Sequence, residues 1–167
     1  MSDITIEITE ATPIVLQFDA GIPGADGNDG RIYVIEPTTD LTADGPNTAS
    51  KNAGESVTIM QTVYLSSTGV WLLTDADSDA TSKGLLGIAL QTKTSGEAMK
   101  VALPGCMVRN DAWTWATVGA PLYLSTTMGQ ITDAAPSGTD DVVRVIGWVL
   151  TDNCIYFNPS PDYITLN

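Results

Sequence analysis

The sequence predicts an all-β protein, and two observations support this fold class. Charged residues make up only 16% of the 167-residue chain, so Thr, Ser, Asn and Gly must supply most of the polar surface, a composition that suits strands and turns. Short apolar runs recur with turn residues between them, as in small barrels and sandwiches. We expect an N-terminal β arm (1–20), a collagen-like neck (21–30), a connector (31–55) and a small antiparallel β-barrel or sandwich (56–167).

The N-terminal arm is predicted to form two strands. Apolar and polar residues alternate over 4–9, and a second apolar run follows Pro13. A two-stranded unit is marginal by itself, so the arm either docks on a partner protein, holds sister chains together, or packs on the main domain as edge strands. The apolar residues that would make these contacts are Ile4, Ile6, Ile8, Ile14, Leu16 and Phe18.

The neck is predicted from a glycine at every third position. These glycines are Gly21, Gly24, Gly27 and Gly30. Only glycine fits the axis of a collagen triple helix, so this period predicts three chains and an intertwined homotrimer. Three triplets span only about 28 Å at ~3.1 Å per residue, too short to be stable without contacts on either side. The alternative is a flexible glycine-rich linker. In a trimer, Asp26 and Asp29 would each place three carboxylates, one from every chain, in the same layer of the helix.

The rest of the chain is predicted to be a series of short strands. Residues 32–35 are strand-like, but 38–54 contain almost no large apolar residue and indicate an extended connector or a long loop. One short helix is expected over 76–83, with Asp75 or Asp77 as its N-cap and Gly84 just past its end. Predicted strands cover 57–61, 63–65, 70–74, 85–91, 98–103, 107–110, 121–125, 130–132, 142–150, 155–157 and 163–166.

The charge balance argues against several classes of function. Seven Lys and Arg against twenty Asp and Glu give a net charge of −13 at pH 7, and the chain has no histidine. Binding of nucleic acid or of an anionic membrane needs a basic surface that this chain lacks. Serine or cysteine catalysis with a histidine base, and histidine-ligated zinc or haem, are excluded. No apolar run approaches the ~18 residues of a membrane span. The sequence begins without the basic region of an export signal, so no such signal is expected. We expect no enzymatic activity and no cofactor.

Two acidic motifs have residue types that occur in metal or catalytic sites. Asp75, Asp77 and Asp79 have the spacing of the first half of a calcium-binding EF-hand loop. Ala80 and Leu86 stand where that loop needs Gly and a bidentate Glu, so a capped acidic turn is expected instead. The pair at 140–141 follows a Pro-Ser-Gly-Thr segment typical of a solvated loop, a poor place to raise a carboxyl pKa. No catalytic residue and no metal ligand is assigned.

The tryptophans are the remaining candidates for a contact surface. Trp71 and Trp148 lie within apolar runs and are predicted to be core residues. Trp113 and Trp115 fall on the same side of a predicted strand or ribbon beside a polar turn, where they would form an exposed surface. The sequence leaves open whether that surface is a subunit interface or a ligand face. Cys106 and Cys154 are expected to be buried thiols.

Five segments of the C-terminal region carry a resemblance to a known family, and they are 83–90, 119–132, 135–138, 142–149 and 155–159. The region around them, roughly residues 56–167, resembles the β-domain of tailed-phage head fibre or capsid decoration proteins. It implies a homotrimer that binds the major capsid protein on the exterior of the virion, without catalytic residues.

The order of arm, neck and β-domain fits this resemblance, since such arms and collagen-like necks often precede trimeric heads. The acidic charge of three chains also favours the outer surface of a shell over contact with packaged DNA. The alternative is a receptor-binding tail fibre, in which Trp113 and Trp115 contact a glycan of the host surface.

Overall fold

The structure is a computed structural model, and it describes residues 35–45 and 48–167. These residues belong to one unit, which begins at Ile32. The predicted arm (1–20) and the predicted neck (21–30) lie outside the described residues, so both stay predictions. The all-β prediction is confirmed for the part of the chain that is described, where antiparallel strands dominate.

The described strands form two large sheets and one small one. The five-stranded sheet has the order β2-β6-β5-β3-β4, the six-stranded sheet the order β1-β7-β12-β11-β8-β9, and β10 pairs with β13. The strands are β1 Thr42–Asp44, β2 Thr48–Asn52, β3 Thr62–Leu65, β4 Trp71–Leu73, β5 Leu86–Ala89, β6 Ala98–Ala102, β7 Cys106–Arg109, β8 Pro121–Leu124, β9 Ile131–Thr132, β10 Val142–Val143, β11 Val145–Val149, β12 Cys154–Phe157 and β13 Ile164–Thr165.

The five-stranded sheet curls into a small barrel. Ala53, just after edge strand β2, forms a bridge with Trp71 at the start of the opposite edge strand β4. The N–H of Gly54 donates to the carbonyl of Trp71 at 2.8 Å, which ties the two edges together. The closed sheet surrounds its own apolar cluster. Its buried members are Ala53, Val57, Val63, Trp71, Ala89, Met99 and Val101.

A larger core lies between the outside of this barrel and the six-stranded sheet. Leu86 and Ile88 of the barrel are fully buried in the same cluster as residues of the six-stranded sheet. The members from that sheet are Cys106, Val108, Leu122, Leu124, Ile146, Val149, Ile155 and Phe157. Each fully buried aliphatic or aromatic side chain contributes about 1.5–3 kcal/mol of transfer free energy. This shared core therefore holds the two sheets face to face.

The expected connector over 31–55 is wrong for residues 42–44 and 48–52. The first segment is strand β1, which pairs with β7, and the second is strand β2, which pairs with β6. Both lie at sheet edges, where backbone hydrogen bonds to one neighbour are enough and few apolar side chains are needed. The sparse apolar content of this region therefore did not reveal the strands.

Two other strand predictions are corrected by the structure. Residues 57–61 form a loop, in which Val57 makes an isolated bridge with Lys93 and Met60 has a left-handed φ of 68°. The predicted strand over 142–150 is divided at Arg144 into β10 and β11, which pair with different partners. Both stretches are rich in apolar residues, and such a pattern does not show where strand pairing stops or changes partner.

The short helix is present, but it starts later than expected. Helix α1 covers Asp79–Ser82, and its N-cap is Ser78, whose Oγ accepts from the N–H of Ala80, not Asp75 or Asp77. Gly84 follows the helix with a φ of +80°, as its position past the helix end predicted. In the described part of the chain, no helix has the length and apolarity to span a bilayer.

Arg144 forms hydrogen bonds both with the C-terminal end of helix α1 and with the segment after strand β12. Its side chain is buried, with 6% of the residue exposed. Nη1 donates to the carbonyls of Ser82 at 2.8 Å and Gly84 at 3.1 Å, and Nε donates to the carbonyl of Ser160 at 2.8 Å. Burial lowers the pKa of this guanidinium, but arginine remains charged in proteins. The three carbonyls provide hydrogen bonds for the buried cation.

We expect Arg144→Lys to lower the free energy of unfolding by about 1–3 kcal/mol. The compact ammonium of lysine cannot reach the carbonyls of Ser82 and Gly84 and the carbonyl of Ser160 at once, as the planar guanidinium does. Urea denaturation of the full chain measures this change. The matched control is Lys93→Ala, which keeps the backbone bridge to Val57 and removes a side chain whose one ion pair in the described residues is with Glu97 at 3.9 Å, a surface kind worth about 0–1 kcal/mol. Equal stability of wild type and Arg144→Lys would contradict a stabilising role for the hydrogen bonds between Arg144 and the three carbonyls.

Candidate functional site

Trp113 and Trp115 lie in an irregular segment between strands β7 and β8, not in the strand or ribbon expected from the sequence. The N–H of Trp113 donates to the carbonyl of Asn110 at 3.0 Å, and that of Trp115 to the carbonyl of Asp152 at 2.8 Å. The two rings contact each other, with centroids 5.7 Å apart and planes tilted by 46°. Both side chains are half-buried against the larger core, so the pair is a supported surface feature rather than a fully exposed one.

Trp113 borders a cleft of about 280 Å³. The cleft lies where three loops meet: the loop before β3, the segment after β7 and the turn between β8 and β9. Its lining consists of Thr58, Ile59, Met60, Gln61, Asn110, Trp113 and Gln130. None of these side chains is charged, although the chain as a whole carries −13. The cleft is therefore a neutral site on an acidic protein.

Two amide side chains of the cleft have fixed orientations. Oε1 of Gln61 accepts from the N–H of Thr58 at 2.7 Å, and Oδ1 of Asn110 accepts from the N–H of Ala112 at 3.0 Å. Because each carbonyl oxygen is engaged, each amide NH2 group is left as a donor. Neither NH2 group has a hydrogen-bond partner within the described residues.

The walls of the cleft are held by two unusual backbone positions. Met60 has a φ of 68°, a conformation that costs a non-glycine residue about 1–3 kcal/mol. Gly129, in the β8–β9 turn, has a φ of +72°, and a Cβ atom there would lie 2.9 Å from Leu73 Cδ2 and 3.0 Å from Gln61 Nε2. The absence of a side chain at Gly129 lets this turn pack directly against Gln61. The cleft is therefore built into the fold.

The other two tryptophans have different environments. Trp71 is fully buried, as predicted. Trp148 is not a core residue: 38% of it is exposed, and its ring stacks on Tyr156 with centroids 6.4 Å apart and an angle of 25°. The sequence prediction was wrong because every neighbour of Trp148 in β11 is apolar or glycine, so no alternation marked its outward face. The Trp148–Tyr156 pair depends on the register of β11 with β12 and has no signal in the sequence.

The acidic residues do not form a metal site in the described part of the chain, where no group of three potential ligands comes together. Asp79 forms an ion pair with Lys83, and its Oδ1 accepts from Oγ1 of Thr165 at 2.6 Å. The hydrogen bond from Lys83 lowers the pKa of Asp79. Asp75 uses its Oδ1 to accept from the N–H of Asp77 at 3.0 Å, as a capped acidic turn does.

Asp141 differs from the solvated loop residue that the sequence indicated. Only 7% of it is exposed, and its Oδ2 accepts from the N–H of Gly138 at 2.6 Å. Partial desolvation raises the pKa of the neighbouring Asp77 carboxyl, and the negative charges of Asp75 and Asp141 raise it further. The protonated form of Asp77 can donate a hydrogen bond to Asp141. The sequence motifs did not anticipate this pairing of Asp77 with Asp141.

Cys106 and Cys154 are both buried and form no disulfide. Burial raises the pKa of the Cys154 thiol to about 11, and the nearby carboxylate of Glu36 adds to the rise. At neutral pH this thiol is protonated and is a poor nucleophile. Cys154 is therefore a core residue, not a reactive group.

Comparison of the chain with family models, with curated proteins and with solved structures finds no match.

Asp77→Asn is expected to stabilise the protein at neutral pH and to have no such effect near pH 3. The pKa of Asp77 is raised on folding, so its contribution to stability is fully present below its ordinary value of ~3.9 and is lost as the pH rises through the raised pKa. Asparagine cannot ionise, so it avoids that loss. Melting temperatures of wild type and variant at both pH values measure the difference.

The matched control is Asp162→Asn, an exposed residue whose carboxylate has no hydrogen bond among the described residues. Its melting temperature should follow that of the wild type at both pH values. If Asp77→Asn raises the melting temperature equally at pH 3 and at neutral pH, the ionisation of Asp77 is not the cause of the change.

Proposed function

We propose that this protein is a virion structural protein, a head fibre or capsid decoration protein that binds the exterior of a phage capsid as a homotrimer. One observation carries the proposal: a sequence with alternating isoleucines (4–8) and glycine triplets (21–30), which predict an arm and a neck, precedes a β-structured unit. The likeness of residues 56–167 to the β-domain of tailed-phage head fibre proteins supports it. In this arrangement the arm docks on the major capsid protein, and the β-structured unit projects from the shell.

The proposed mechanism is non-covalent. Burial of the arm's apolar side chains against the shell or between sister chains contributes about 1.5–3 kcal/mol for each side chain that is fully buried. The entropy cost of ordering the arm and the loss of free motion offset part of this gain. Three arms held together by one neck raise the effective concentration of the second and third arm once the first has bound. A trimer therefore gains avidity that a single arm lacks.

The charge of the protein supports an external position. Each chain carries −13, and three chains carry three times that charge. Such a particle is repelled by packaged DNA, whereas on the outside of a shell the same charge keeps decorated virions apart in solution.

Light scattering of the full chain should report three times the chain mass of 17.6 kDa. Gly27→Ala is expected to shift the protein toward monomers, because only glycine fits the axis of a triple helix. Asn28→Ala, one position along in the same triplet, changes a residue that would face outward in a triple helix, and it should leave the trimer intact. A monomer for the wild type, or equal behaviour of the two variants, would contradict the neck.

Docking is tested by adding purified protein to capsids that lack it. Replacing Ile4, Ile6 and Ile8 together by Asp should abolish attachment, because three carboxylates would then face the apolar contact. The matched control replaces Thr5 and Thr9 by Asp on the opposite face of the predicted strand, and this variant should still bind. If both variants decorate capsids fully, the arm is not the docking element. Electron microscopy of labelled virions separates this role from that of a tail fibre, since a fibre places the label on the tail.

A further inference from the structure

We propose that the cleft beside Trp113 binds one neutral pyranose unit of a carbohydrate. The site is made entirely of described residues, and the inference does not depend on where in a virion the protein sits. A decoration protein and a tail fibre are both able to carry such a site.

The neutral lining selects an uncharged ligand. No Lys or Arg reaches the cleft to hold a phosphate or a carboxylate, and no Asp or Glu lines it to hold a cation. On a chain with a net charge of −13, a lining without carboxylates is a local exception. Ionic ligands therefore have no partner here, and an anionic ligand is also repelled by the surrounding protein.

The size of the cleft and its tryptophan favour a single ring. A volume of about 280 Å³ is just below the ~300–1,000 Å³ of pockets that take drug-sized ligands. The Trp113 ring is part of the cleft lining and contacts the Trp115 ring, with centroids 5.7 Å apart, so it gives the cleft an apolar wall. The C–H face of a pyranose fits against such a wall, with its hydroxyl groups directed toward the rest of the cleft.

The polar groups of the cleft match hydroxyl groups rather than an apolar ligand. The NH2 groups of Gln61 and Asn110 are donors without a partner in the described residues, and their own carbonyl oxygens are engaged by backbone N–H groups. An apolar ligand would cover these donors without satisfying them. A sugar hydroxyl both accepts from an NH2 group and donates onward, for example to the hydroxyl of Thr58.

The cleft needs little rearrangement to bind. Met60 is held in its left-handed conformation by a hydrogen bond from its N–H to the carbonyl of Ala89 at 2.8 Å. Gln61 is fixed between this loop and the Gly129 turn, and Asn110 is fixed by its bond from Ala112. A site whose donors are already oriented loses less entropy on binding.

The test uses the full-length protein labelled with ¹⁵N, in which four tryptophans give four indole N–H signals. Each signal is assigned from a single Trp→Phe variant. The probes are methyl α-D-glucopyranoside, methyl β-D-galactopyranoside and N-acetyl-D-glucosamine, with adenosine as a flat neutral ligand of another class. We expect the Trp113 signal to shift saturably with at least one of the sugars, and the exposed Trp148 signal to stay in place.

Two nearly isosteric variants test the donors. Asn110→Asp and Gln61→Glu keep the oxygen that accepts from Ala112 or Thr58, but each replaces an NH2 donor by an oxygen. Each should weaken sugar binding about tenfold, the usual effect of losing one hydrogen bond. Asn158→Asp, an exposed residue outside the cleft lining, is the control for the added charge and should bind as the wild type does.

Three results would overturn the proposal: no shift of the Trp113 signal with any of the three sugars, unchanged affinity in both donor variants, or tighter binding of adenosine than of every sugar. A sugar-induced shift confined to Trp148 would place binding on the outer face of the six-stranded sheet, and it too would overturn this site. None of these outcomes affects the capsid-docking experiment, so the two proposals fail independently.

Discussion

Strand β5 is buried on both of its faces, and both apolar cores of the described unit depend on it. Leu86 and Ile88 belong to the core shared with the six-stranded sheet, whereas Ala89 belongs to the interior of the barrel. Between them, Gly87 leaves no room for a side chain, because a Cβ atom there would lie 2.2 Å from Cγ1 of Val101. The strand must therefore be apolar on one face and small on the other. That constraint allows a curled sheet to pack closely against a second sheet.

The same arrangement explains how polar groups are placed. The barrel and the six-stranded sheet bury their apolar faces against each other. Where the interior does hold a charge, the backbone surrounds it: carbonyl groups accept from Arg144, and an N–H group donates to Asp141. The cleft beside Trp113 is different, because its amide donors are oriented without being satisfied by the described residues. A satisfied polar group stabilises the fold, whereas an oriented and unsatisfied one is available to a ligand.

Much of the β-structured unit was predictable from local pattern. Hairpin strands such as Thr62–Leu65 and Trp71–Leu73 lie within two residues of the predicted bounds, because alternation and turn residues act over a few positions. The end of helix α1 just before Gly84 was predictable for the same reason. Edge strands β1 and β2 were not, since their partners β7 and β6 lie more than 40 residues away in sequence. The cleft was only half predictable: Trp113 was a candidate, but Gln61, Asn110 and Gln130 reach it from three separate loops.

The sequence by itself determined the all-β class, the positions of most turns and the acidic, histidine-free character of the protein. These properties follow from composition and short-range periodicity. It also carries the predictions of an arm and a neck, which rest on a period of two and a period of three. Tertiary structure alone decided that Trp148 faces outward, that Asp141 is buried and that Arg144 divides a long apolar run. In runs without alternation the face of each residue is set by strand register, and register is set by partners that are distant in the sequence.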